Sequence, residues 1–220
     1  GERLAQGSGG VALLANSIAT GAGLYALIVI FFPISGAHFN PVVSGMSVWD
    51  GRMSGRDGLV YVVAQISGAF AGVAAAHAMF SVPIIQISAR TRPSLGEGLG
   101  EVIATFGLVL VISLASRVRA EAIPLAVAAF ITSAYWFTSS TSFANPAVTF
   151  ARAMTDTFAG ISPQSVPLFV CGQLIGGVIA TLFARWLLAG SSGTITQSSQ
   201  FSPIYTTDPG QTAEPHQRRT

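Results

Sequence analysis

Charge in this chain is confined to the gaps between five long uncharged stretches. Residues 4–49, 58–89, 102–116, 122–151 and 157–184 contain no Lys, Arg, Asp or Glu. Most of them exceed the roughly 18 to 20 apolar residues that cross a bilayer as a helix. Backbone polar groups find no water in hydrocarbon, so a helix, which bonds them within its own segment, is the form such stretches take. Composition agrees: half of the 220 residues are hydrophobic and 9% are charged, against about 25% charged in soluble domains. The expected fold class is an all-α, multi-pass membrane protein. Its 24 glycines suit the close backbone approach that membrane helices use.

Five spanning helices are expected, at about 11–32, 57–79, 97–116, 122–140 and 164–189. Two shorter segments start near Asn40 and Asn145 and run about ten residues, toward Asp50-Gly51 and Asp156. Ten helical residues cover only about 15 Å, half of the hydrocarbon core. Such segments are therefore re-entrant, sheltered by protein. Each begins with Asn-Pro, and both residues suit a helix start: Asn as N-cap, Pro at the first helical position, where no intrahelical N–H bond is needed.

These two segments belong to a duplication. Ser35-Gly36-Ala37-His38-Phe39-Asn40-Pro41-Val42 returns in altered form as Thr141-Ser142-Phe143-Ala144-Asn145-Pro146-Ala147-Val148. Each copy is followed by an apolar stretch carrying Gln-x-x-Gly, Gln65 to Gly68 and Gln173 to Gly176. Arg52 and Arg56, Arg117 and Arg119, and Arg185, Arg218 and Arg219 fall on one side of five alternating spans, which the positive-inside rule makes cytoplasmic. One Asn-Pro then enters from each face, the inverted-repeat pattern of channels and transporters. The second unit reads span, span, Asn-Pro, span, and the first lacks the opening span. A first helix is therefore expected before Gly1, with the chain a fragment. Residues 1–196 are read as the membrane domain and 197–220, rich in Ser, Thr, Gln and Pro, as a disordered cytoplasmic tail.

The paired Asn-Pro motifs and Gln-x-x-Gly helices resemble the aquaporin and aquaglyceroporin superfamily across residues 11–189. That resemblance implies six spans and two half-helices meeting at mid-membrane, one pore per subunit, and a homotetramer in a bacterial plasma membrane. It implies that Asn40, Pro41 and Val42, with Asn145, Pro146 and Ala147, form the centre of the pathway. Two half-helix N-termini facing each other disfavour cations, and each Asn carboxamide carries N–H donors for a solute oxygen. Val42 replaces the family's usual Ala, a change expected to affect only packing.

The family's register also implies a constriction at Thr20, Ser133, Ser142 and Val148. Water- and glycerol-selective members place Arg immediately after Asn-Pro-Ala, where this chain has Val148. Arg152, one turn on, is not a replacement by position alone. A Thr, Ser, Ser, Val constriction should be wide and uncharged. It resembles a bacterial aquaglyceroporin subgroup of arsenic-resistance operons, which implies passage of glycerol-like polyols, As(OH)3 and water. Loss of the outer Arg also implies a weak proton leak.

Other residues carry less. The resemblance implies that Glu101, an ionisable group within a span, braces the neighbouring re-entrant loop. His38 either gates a pore mouth by protonation near pH 6.5 or lines it as a neutral ring and ties down the loop. Tyr135, Trp136 and Phe137 are expected to form a headgroup belt, with at most one ring facing the pore. Cys171 is read as a small buried hydrophobe. No nucleophile context, cofactor or metal cluster is present in the sequence, and no dense basic block favours nucleic acid. Partners are expected to be small neutral solutes and the lipid bilayer. The competing readings are a water-selective pore, a non-conducting scaffold of the same fold, and a coupled transporter. The last would need acidic groups at the half-helix junction, and residues 38–48 and 143–154 contain none.

Overall fold

The computed structural model describes residues 1–190, so the tail expected at 197–220 lies outside the described residues. Seven α-helices follow one another: α1 (Gly9–Ser35), α2 (Pro41–Trp49), α3 (Gly55–Met79), α4 (Leu95–Val118), α5 (Ile123–Phe137), α6 (Pro146–Arg152) and α7 (Val166–Gly190). Short 3-10 turns flank α1, α5 and α7. Five of the elements are long and apolar enough to cross a membrane, and α2 and α6 are the half-helices between them. Boundaries follow local chemistry. Helix α4 starts at Leu95 because Ser94 and Glu97 form a capping box, each side chain bonding the other's backbone N–H.

The second half-helix is shorter than its sequence indicates. It stops at Arg152 rather than continuing to Asp156. Neighbouring loops draw off its terminal carbonyls: Ser88 N–H donates to the Ala153 carbonyl at 3.0 Å and Ile161 N–H to the Arg152 carbonyl at 3.2 Å. The last carbonyls of a helix lack an intrahelical partner, and here these loop donors satisfy them at the end of α6.

The tightest packing joins α4 to α7. A Cβ on Gly172 would lie 2.6 Å from the Gly98 carbonyl, and one on Gly176 would lie 2.3 Å from that of Val102. Both glycines, four residues apart, form a backbone-to-backbone seam. On the other side, α1 and α5 close against α4 through Ile28, Leu108, Ile123, Val127, Ile131 and Tyr135. Several of these also line a central cavity. The apolar core of this protein is thus largely the wall of a passage. Cys171 is exposed on α7 rather than buried, because the seam turns Gly172 and Gln173 inward instead.

Candidate functional site

The half-helices meet through their N-termini, and the junction is built from the two asparagines. Asn40 Oδ1 accepts the Val42 N–H at 3.0 Å, and Asn145 Oδ1 accepts the N–H groups of Ala147 at 3.0 Å and Val148 at 3.3 Å. Each carboxamide nitrogen then reaches across: Asn40 Nδ2 donates to the Ala144 carbonyl at 2.7 Å, and Asn145 Nδ2 to the Phe39 carbonyl at 2.8 Å. A carboxamide has two N–H donors. One of each pair is spent on pinning the opposite loop, and the other remains for a molecule in the cavity that both residues line.

The duplication extends to the backbone. Residues one and three positions before each Asn adopt left-handed φ: Phe39 (48°) and Ala37 (48°) in the first copy, Ala144 (47°) and Ser142 (50°) in the second. Non-glycine residues rarely sit there, and such strain persists only where surrounding contacts over-determine it. In the second copy those contacts come from Glu101. Its carboxylate is fully buried and accepts from Phe143 N–H at 2.8 Å, Ala144 N–H at 2.7 Å and Gln173 Nε2 at 2.6 Å. Both repeats also tie each half-helix to the following span by one device. Gln65 Nε2 donates to Ser44 Oγ at 2.9 Å and Gln173 Nε2 to Thr149 Oγ1 at 2.8 Å, each hydroxyl four residues after its Asn.

One cavity of about 320 Å3 passes this junction. Thr20, Tyr135, Ser142, Val148 and Arg152 line one mouth. Asn40, Asn145, Leu24, Leu108, Val127 and Ile131 line the middle, and His38, Ser47, Arg52 and Ser116 the other mouth. Pro41, Val42, Pro146 and Ala147 are outside the lining. The prolines start the half-helices, and Val42 is buried with Val109 and Ala180. Its added methyls fit because residue 177 is Gly, where a Cβ would come within 2.5 Å of Val42 Cγ1. Among the described residues, no three His, Cys, Asp or Glu side chains gather as metal ligands.

Ser133, expected at the constriction, lies away from the cavity. It is exposed, its hydroxyl donates to the Phe130 carbonyl at 2.8 Å, and it does not line the cavity. The face of α5 that does line it carries Ile123, Val127, Ile131 and Tyr135, at four-residue spacing. Position 133 lies about 200° from both 131 and 135 around the helix. Tyr135 is thus the ring of the aromatic trio that faces inward, while Trp136 and Phe137 are exposed. Its hydroxyl lies 3.2 Å from Thr20 Oγ1 and accepts from Arg152 Nη2 at 3.0 Å. Tyr135 and Arg152 are lining residues that counting from the motifs does not reach. An uncharged helix face ending in Tyr and a long basic side chain one turn beyond Val148 were the available signals.

At the opposite mouth, His38 lies between two hydroxyls, Nδ1 3.1 Å from Ser44 Oγ and Nε2 3.4 Å from Ser47 Oγ, beside the Tyr61 ring. It occupies the loop between α1 and α2, outside the spanning helices. Burial, and secondarily the positive charge of Arg52, hold its pKa below the ordinary 6.5. The imidazole is therefore neutral at neutral pH.

Two half-helices entering an inverted repeat and cross-pinned by their Asn carboxamides beside one passage describe a channel. The family described as Major intrinsic protein matches residues 3–121 and 113–214. The chain belongs to the major intrinsic protein family. Aquaglyceroporin AqpS of Rhizobium meliloti is 49% identical over 189 residues, covering 86% of this chain and 81% of that protein. Aquaporin AqpM of Methanothermobacter thermautotrophicus is 34% identical, covering 79% and 75%. A glycerol uptake facilitator-like protein of Lactiplantibacillus plantarum is 25% identical, covering 79% and 84%. This major intrinsic protein is therefore a multi-pass membrane channel for small solutes, not an enzyme.

Proposed function

We propose that this channel passes small uncharged hydroxylated solutes down their gradients, with glycerol-like polyols and As(OH)3 as cargo and water alongside. Val148 carries the reading. It lines the mouth where water- and glycerol-selective relatives place an arginine, so an aliphatic side chain stands where a guanidinium would fill the gap. Ser142, also in the lining, has a buried hydroxyl without a hydrogen-bond partner among the described residues. Trivalent arsenic as As(OH)3 presents three hydroxyls at similar bulk to glycerol, so a pathway fitted to one admits the other. The 49% identity to a protein named as an aquaglyceroporin supports this cargo class.

The functional unit is a homotetramer in a bacterial plasma membrane with one pathway per subunit. Exposed apolar side chains such as Ile18, Val29, Leu59 and Ile179 supply surface for neighbours and lipid. The described residues, 1–190, belong to the channel domain. The test is downhill uptake of glycerol and arsenite by vesicles holding the full chain, without any ion gradient. Both should enter well above the rate of empty vesicles. Uptake equal to that of empty vesicles would overturn the reading.

A further inference from the structure

Position 148 is aliphatic, yet the mouth beside it holds a cation. Arg152 ends α6 half-buried, and its side chain lines the cavity. Two contacts pose it there: Nη2 donates to the Tyr135 hydroxyl at 3.0 Å, and the guanidinium lies 4.3 Å from the centre of the Phe143 ring. Neither contact removes charge. Among the described residues, the ion pairs join Asp50 to Arg52 and Arg185, and Glu121 to Arg119, so Arg152 has no carboxylate partner. Arg92 shares the Phe143 ring at 5.2 Å. Burial, with Arg90 and Arg152 close by, lowers the Arg92 pKa to about 10, which still leaves it positive at neutral pH.

Hydrogen bonding fixes a direction along this wall. Arginine only donates, so the Tyr135 hydroxyl accepts from Arg152 and turns its own proton toward Thr20 Oγ1, 3.2 Å away. Thr20 in turn donates to Asn16 Oδ1 at 3.4 Å. The guanidinium has five N–H donors and one described hydrogen bond, so donors remain for a passing molecule. The unpartnered Ser142 hydroxyl lines the same mouth.

We propose that Arg152 is the charge-selecting residue of this channel: set one turn beyond the constriction by Tyr135 and Phe143, it bars protons and metal cations and offers hydrogen bonds to neutral solutes. This rests on the channel function proposed above and adds a division of labour. Width belongs to Val148, Ser142 and Thr20, and charge belongs to Arg152, so the pathway is wide without being open to cations. Two unit charges ~6 Å apart at an effective dielectric constant near 20 repel enough to lower occupancy about a hundredfold. The proton leak expected from an uncharged position 148 is thereby suppressed.

The experiment uses vesicles holding the full chain, loaded with a pH-reporting dye and given an imposed potential, with glycerol uptake followed in parallel. Arg152→Gln should raise proton and potassium permeability about tenfold or more while glycerol uptake falls. A collapsed pathway would lower both, so opposite movements identify charge selection. Arg152→Lys keeps the charge and should hold the leak near the wild-type level. An Arg152→Gln leak equal to wild type, with glycerol still entering, overturns the inference and leaves the proposed function intact. A wild-type protein that passes no glycerol, with Arg152→Gln still opening a proton path, sinks that function and leaves the inference standing. Should Arg152→Gln not be recovered folded, Tyr135→Phe decides: unpinning the guanidinium should raise the leak, and an unchanged leak contradicts the proposal.

Discussion

Single residues here divide their bonding capacity between holding the pathway and serving it. Asn40 and Asn145 each use the side-chain oxygen as a helix cap and one N–H as a cross-pin, which leaves each a second N–H donor at the cavity. His38 spends both ring nitrogens near serine hydroxyls at the other mouth. Its pKa is depressed, so the unfolded chain takes up the proton first as pH falls. The contribution of this site to stability is whole above the ordinary 6.5 and is lost as pH falls through the lower folded value. Thermal unfolding of the detergent-solubilised protein should therefore be flat in this contribution from about pH 7 upward. The midpoint should decline on acidification, and His38→Gln should lessen the decline. An identical acid decline in that variant would show that His38 is not its source.

At the residue scale the sequence was informative about identity and less so about direction. Asn40, Asn145, Ser142, Val148 and Thr20 could be placed by counting from the motifs, and the cavity does reach all five. Counting failed at Ser133. The segment between α5 and α6 contains left-handed residues at 141, 142 and 144, and the inward face of α5 is set by packing against α1 and α4. Neither is written in a residue interval. Arg152 was legible as a charge but not as a pore residue, because its reach depends on where α6 ends and on which ring and hydroxyl receive it.

At the element scale, the spans and half-helices followed from uncharged length and from Asn-Pro starts. What the pattern could not show is how two strained loops are kept in place. Glu101 does this for the second loop from inside α4, accepting from Phe143 N–H, Ala144 N–H and Gln173 Nε2, all of them donors. Glu101→Gln would turn an amide N–H2 toward those donors and leave at least one buried group unsatisfied. The expected cost is about 2–4 kcal/mol, read as a lower unfolding midpoint together with lost glycerol flux. Unchanged stability would mean that the loop is held by its own packing. The early stop of α6 has the same origin as the brace: backbone groups of one segment satisfied by another, which a local reading of helix length does not contain.

For the whole molecule, the two halves repeat one arrangement at atomic detail. Each has a left-handed loop, a capping Asn, and a Gln from the next span on a hydroxyl one turn into the half-helix. Within the second half, the glycine seam between α4 and α7 fixes the frame against which α6 is held. The proposed choice of cargo rests on one mouth of that passage. The measurement that tests this most directly compares glycerol and water permeability of the wild-type chain and Val148→Arg in the same vesicles. A guanidinium at 148 should slow glycerol far more than water, so that the glycerol-to-water ratio falls several-fold. Equal slowing of both, or no slowing of either, would show that position 148 does not set the width of the pathway.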